Sequence, residues 1–98
     1  MGTSIEHTGD WAFNALNPKD HAKYAEALAG IVRHYTKGWA NGYKWDIQNW
    51  EIYNEPNIKP CWRGTKEEFI DLFITVLRRL KSEFPELRVG GPAFAGCP

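Results

Sequence analysis

The sequence predicts an α/β protein built on parallel strands, and three observations carry that expectation. Helix-like and strand-like stretches alternate along the 98 residues. Each helix-like stretch shows one apolar stripe at helical spacing. The segment from Gln48 to Gly91 reads as one complete βαβ unit.

The elements follow in order. Met1 to Leu16 has no clear period, and Gly2, Gly9, Asp10 and Asn14 mark a loop entered from the end of a strand. A helix follows, with Asn17 as its cap, Pro18 at its first position and Asp20 in its first turn. Its stripe is Tyr24, Leu28, Ile31, Val32 and Tyr35. Ala22, Ala25, Ala27 and Ala29 favour the helix, and Gly38 ends it. A polar, aromatic connection runs from Trp39 to Asp46. Ile47 to Tyr53 reads as a strand, and it leads straight into Asn54-Glu55-Pro56-Asn57. Pro56 has no N–H for a ladder, so the strand stops near Glu55. Alternation puts Trp50 and Ile52 against the helices and Glu51, Tyr53 and Glu55 on the other face. Glu51 then reads as a buried structural carboxylate paired to a cation elsewhere in a longer chain.

After a loop that carries Cys61 and Trp62, Thr65 and Glu68 form a T-x-x-E capping box. Phe69, Leu72, Phe73, Val76, Leu77, Leu80 and Phe84 follow on one face. Lys66, Asp71, Arg78, Arg79 and Lys81 lie opposite, so an amphipathic helix is expected, broken at Pro85. Arg88 to Gly91 is a second short strand, closed by Pro92.

Composition excludes several classes. The chain is 43% hydrophobic, which suits a packed core and not a disordered chain. Twelve Lys and Arg balance twelve Asp and Glu, which argues against a nucleic-acid surface. No apolar run approaches the roughly 20 residues that span a bilayer, so no membrane partner is expected. The first residues, MGTSIEHTGDW, lack the basic and apolar regions of a signal peptide. His7, His21 and His34 show no ligand spacing, so no metal site is expected. Cys61 and Cys97 match no metal motif either, and both a disulfide and two thiols fit them. Two parallel strands with two helices make a poor free-standing domain, because parallel sheets are normally covered on both faces. Residues 1–98 therefore read as a single incomplete domain of a longer protein.

The chemistry concentrates at Trp50-Glu51-Ile52-Tyr53-Asn54-Glu55-Pro56-Asn57. A carboxylic acid at the C-terminal end of a parallel strand, hemmed by aromatics, is placed for general acid work. Breaking a glycosidic bond needs such a group to protonate the leaving oxygen. Asn54 is placed to bond a sugar hydroxyl. The bland alternative is a turn that simply follows a strand.

From Pro18 to Gly96 the chain resembles glycoside hydrolase family 39, a clan-A retaining family of β-xylosidases and α-L-iduronidases. The resemblance rests on HAKYAEALAGIVRHY, on NWEIYNEPN, on the CWRGT loop and on EEFIDLFITVLRRLKSEFPELRVGGPA. It implies an α/β fold that is a fragment of a (β/α)8 TIM barrel, from about the end of strand 3 to strand 5. Glu55 matches the family's general acid/base, and Asn54 the Asn before it. The nucleophile would be a second Glu on a later strand, to which no position here corresponds. Glu51 sits in the strand body, and Glu67 and Glu68 open the next helix. The 98-residue chain alone is therefore expected to turn over no glycoside. His7 and Trp11 fall in a loop that borders the substrate, and Trp62 is a candidate sugar platform. The implied partner is a carbohydrate substrate, oligosaccharide or polysaccharide, with no cofactor, and the rest of the barrel is expected in a longer chain. The implied activity is β-xylosidase-like. The alternatives are another clan-A glycosidase of β-glucosidase or endoglucanase type, a barrel relative that binds carbohydrate without catalysis, and an independently folding accessory domain.

Overall fold

The computed structural model describes Met1 and residues 15–96. The element order is α1 (His21–Thr36), β1 (Asn49–Glu51), α2 (Lys66–Glu83) and β2 (Arg88–Gly90). β1 and β2 are parallel, with Asn49 opposite Arg88, Trp50 opposite Val89 and Glu51 opposite Gly90. The sequence-predicted α/β alternation is thus present. The strands are shorter than the expected stretches, because regular pairing stops at Glu51 and resumes only as an isolated bridge between Asn54 and Ala93.

Local chemistry explains the helix ends. In α1 the cap is Asp20, not Asn17: Asp20 is extended, and its carboxylate accepts the Lys23 amide at 3.0 Å. Pro18 accordingly lies before the helix. Asn17 is drawn away by tertiary partners, donating to Glu68 Oε2 at 2.8 Å and contacting His21 Nε2 through Oδ1 at 2.6 Å. α1 closes with the Lys37 amide on Arg33 O at 2.9 Å, and Gly38 follows at φ 77°. In α2 the capping box forms in full, Thr65 Oγ1 accepting from the Glu68 amide and Glu68 Oε1 from the Thr65 amide. The Thr65 backbone amide first, then the Thr65 side chain, hold the Glu68 carboxyl below the usual carboxylate range. Lys81 bridges the turn into β2 by donating to Pro85 O and Leu87 O.

The two helices pack against each other over one face of the sheet. Leu28, Ala29 and Val32 from α1 meet Leu72, Val76 and Leu80 from α2, with Ile52, Phe84 and Leu87 closing the core. Val32, Val76 and Leu80 have no exposed surface. Burial of each such side chain contributes about 1.5–3 kcal/mol. A chain of ion pairs staples the outside of this interface. Arg79 of α2 holds Glu26 of α1 and Glu83 of its own helix, and Glu83 also holds Arg33 of α1.

On the sheet, Trp50 and Val89 turn toward the core, and Asn49, Glu51, Arg88 and Gly90 are exposed on the opposite face. Glu51, expected to be buried against a cation elsewhere in a longer chain, is exposed here, and among the described residues no element covers that face. Met1 lies along the edge of β1 away from β2, donating to Glu51 O and accepting from the Tyr53 amide. Among the described residues, no helix is long and apolar enough to cross a membrane.

Candidate functional site

β1 delivers the chain to Tyr53, and there the backbone leaves the strand. Tyr53 adopts φ 70° and Glu55 φ 50°, both in the left-handed region that non-glycine residues seldom enter. The first reversal overturns the period-two expectation. Tyr53 does not share a face with Glu51 but turns into the core, 3% exposed. Its ring lies edge-on to Trp62 and to Phe69, with centroids 5.7 and 5.3 Å away. Its hydroxyl donates to Cys61 O, which ties the end of the strand to the following loop.

Asn54 and Glu55 are consequently turned out of the core and are half-buried. Asn54 bridges Ala93 just beyond β2, in the register that β1 and β2 already hold. The Glu55 amide donates to Ala93 O at 2.6 Å, and Glu55 O accepts from the Ile58 amide at 3.2 Å. Among the described residues, none donates a hydrogen bond to the Glu55 carboxylate. The buried Cys61 thiol lies within its field. Burial pushes that thiol up, and the Glu55 charge adds to the effect. Cys61 is a free thiol, and Cys97 lies outside the described residues.

The remaining expected site residues separate. His7 and Trp11 lie outside the described residues. Trp62 is 5% exposed, with edge contacts to Tyr53 and Phe69 and its indole N–H on Thr65 O at 2.9 Å. Trp62 thus packs into the wall of the turn, where it also lines an adjoining cavity. Glu67 is exposed at the start of α2, and Glu68 is committed to the capping box and Asn17.

A cavity of about 600 Å³ opens behind the turn, against the flank of α2, between Pro56, Ile58, Phe69, Phe73, Pro92 and Phe94. Its walls are mostly apolar, with Asn57, Lys59 and Lys66 at the lining, and Glu55 is not among them. The acid and the cavity are separate features of the structure. Among the described residues, no group of three or more His, Cys, Asp or Glu is placed to hold a metal ion.

Two residues that the sequence reading missed complete the site. Tyr53 locks the strand exit from inside. Asn57 binds Ala95 from outside, with Nδ2 donating to Ala95 O and Oδ1 accepting from Ala95 N, both at 2.9 Å. The signal for Asn57 was present in the sequence as a side-chain amide directly after a proline.

The chain is similar in sequence and fold to known glycosidases. The Glycosyl hydrolases family 39 model matches residues 1–97, and the chain belongs to that family. A beta-xylosidase of Geobacillus stearothermophilus is 34% identical over 89 residues, 88% of this chain and 17% of the relative. A beta-xylosidase of Caldicellulosiruptor saccharolyticus is 34% identical over 85 residues, 84% of this chain and 17% of the relative. Among solved structures, a glucosidase from Croceicoccus marinus superposes with TM-score 0.76 at 33% identity, covering 85% of this chain and 18% of that one. A GH39 enzyme from Xanthomonas axonopodis pv. citri gives TM-score 0.71 at 32% identity, over 98% of this chain and 19% of that one. The chain thus spans about a sixth of the length of the curated relatives it matches.

Proposed function

We propose that this chain carries the acid/base half of the active site of a retaining, β-xylosidase-like glycoside hydrolase. The observation that carries the reading is the placement of Glu55. It stands at the exit of a parallel strand, held by its own amide on Ala93, with a carboxylate that no described residue engages. In the complete enzyme, Glu55 protonates the glycosidic oxygen as the bond breaks. It then takes a proton from the water that opens the glycosyl-enzyme. Asn54, half-buried beside it, supplies a hydrogen bond to the sugar. His7 and Trp11 border the same substrate.

The nucleophile of this scheme is a second carboxylate about 5–5.5 Å from the first. We place it on a later strand of a (β/α)8 barrel, of which residues 1–98 supply the stretch from about the end of strand 3 to strand 5. The bare outer face of β1 and β2 agrees with this, since it would line a barrel interior. The chain alone is then expected to hydrolyse no aryl glycoside.

The test uses the complete enzyme and aryl β-xylosides. Glu55→Ala should lower kcat/KM on phenyl β-xyloside by about 100-fold or more, the usual worth of a general acid. It should spare the dinitrophenyl analogue, whose leaving group needs no proton. An equal or absent effect on both substrates overturns the assignment of Glu55. Because one matched structure is named a glucosidase, the same pair of β-glucosides is measured in parallel to assign the sugar.

A further inference from the structure

In the turn after β1, backbone pairing gives way to pairing by a side chain. Strand pairing resumes at Asn54 and Ala93 after the break at Tyr53, and the Glu55 amide donates to Ala93 O at 2.6 Å. Beyond Glu55 the chain turns, with the Ile58 amide on Glu55 O at 3.2 Å, so the backbone does not carry the pairing further. Asn57 takes over with its side chain. Its carboxamide donates to Ala95 O at 2.9 Å and accepts from Ala95 N at 2.9 Å. A primary amide presents the same donor and acceptor as a peptide group. Both polar backbone groups of Ala95 are therefore satisfied by one side chain, as they would be by a neighbouring strand.

The consequence falls on Glu55. That residue sits at φ 50°, a conformation that persists only where neighbouring contacts enforce it. On its N-terminal side, Asn54 and its own amide are fixed to Ala93. On its C-terminal side, Glu55 O accepts from the Ile58 amide at 3.2 Å, and Asn57 supplies the anchor to Ala95. We propose that Asn57 is a positioning residue for Glu55: its carboxamide binds Ala95 where the next strand peptide would have paired, and so fixes the turn from which the Glu55 carboxylate projects. The proposal rests on the reading of Glu55 as the acid/base. Asn57 acts through the backbone and does not touch the reacting atoms.

A positioning role has a signature that a structural role lacks. If Asn57 acts through the acid, its loss should matter only where protonation of the leaving group matters. In the complete enzyme, Asn57→Ala should lower kcat/KM on phenyl β-xyloside by about tenfold to 100-fold, part of what the acid itself supplies. On dinitrophenyl β-xyloside the loss should stay below about threefold, and far-UV circular dichroism should be unchanged. Equal losses on the two substrates, or no loss on either, overturn the proposal. Should Asn57→Ala not fold, Asn57→Asp, which keeps the acceptor for the Ala95 amide, reads the same ratio with the same criteria. Glu55→Ala is measured alongside. If it shows no dependence on the leaving group, the acid/base reading fails. If it does show one and Asn57→Ala does not, the positioning role alone is refuted.

Discussion

Gly42→Ala isolates the turn that joins α1 to β1. An ideal Cβ on Gly42 would lie 2.0 Å from the His34 carbonyl oxygen and 2.8 Å from His34 Nδ1. The oxygen has little room to retreat. It belongs to the last turn of α1 and accepts the Tyr43 amide at 2.7 Å. The turn is already committed to left-handed backbone at Gly38, Ala40 and Asn41, with φ of 77°, 55° and 62°. A methyl group must therefore displace the loop, and what it displaces can be counted. The Gly42 amide on Gly38 O and the Tyr43 amide on His34 O are lost or stretched. Each is worth about 0.5–1.5 kcal/mol. The Tyr43–Trp45 stack, with centroids 4.5 Å apart, is disturbed as well, at about 0.5–1.5 kcal/mol. The expected destabilisation is about 2–4 kcal/mol. Gly30→Ala is the control. Its Cβ would meet Trp39 at 3.5 Å, an ordinary contact, inside α1. Replacing a mid-helix glycine by alanine should stabilise by about 0.8–1.0 kcal/mol. Urea denaturation followed by tryptophan emission, compared at equal m values, reads both. A Gly42→Ala midpoint within error of the parent, or a Gly30→Ala midpoint lower than that of Gly42→Ala, would refute the reasoning.

Two further outcomes follow from the same geometry. Arg33, more than Arg79, holds the Glu83 carboxyl below the usual range, and Arg79 does the same for Glu26. A lowered folded pKa means that the native state favours the ionised form. The stabilisation is therefore complete above the ordinary carboxylate pKa, near about 4.3, and is lost as pH falls through the lowered folded values. The urea midpoint should hold from neutral pH down to that range and drop steeply below it, more steeply in the parent than in Arg79→Met; a midpoint independent of pH down to about 3 contradicts the role of the staple. Thr65→Ala removes the hydroxyl that caps α2 and should cost about 1 kcal/mol by the same assay, whereas Thr65→Ser should cost much less.

What the sequence reveals here is what local chemistry decides. The α2 start is determined by Thr65 and Glu68 bonding each other's amides, so the residues alone place it. Pro85, which follows the cap residue Phe84, and Gly38 mark helix ends for the same reason. The α1 cap was misassigned because Asn17 and Asp20 are both good capping residues, and the choice was made across the molecule. Glu68 and His21 claim the Asn17 side chain, while Asp71 claims the other face of His21 at 2.7 Å. Partners about fifty positions apart leave no trace in a local pattern. Trp62 shows a related limit, since a large aromatic in a loop suits a sugar and a core equally until its neighbours are known. At the candidate site, the position of Glu55 after a strand and before a proline is legible in the sequence, whereas the partner of the Asn57 amide, Ala95, lies 38 positions away and is not.

The failure of strand parity at Tyr53 shows how the site is built. Holding Tyr53 and Glu55 at positive φ costs on the order of 1–3 kcal/mol per residue, and each is sustained by a separate set of contacts. For Tyr53 these are the ring edges against Trp62 and Phe69 and the hydroxyl on Cys61 O. For Glu55 they are the backbone bond to Ala93 and the Asn57 clamp on Ala95. Had the strand stayed regular, Tyr53 would have pointed out beside Glu51 and Asn54 inward toward the helices. The reversal at Tyr53 instead buries an aromatic ring beneath the turn and leaves two adjacent polar side chains facing away from the core. Under the proposed reading, a tightly packed ring beneath a carboxylate that no described residue engages would hold the acid fixed in direction toward its substrate. The backbone strain and the proposed chemistry would then share one cause, the placing of Asn54 and Glu55 together on one side of a strand whose alternation would have separated them.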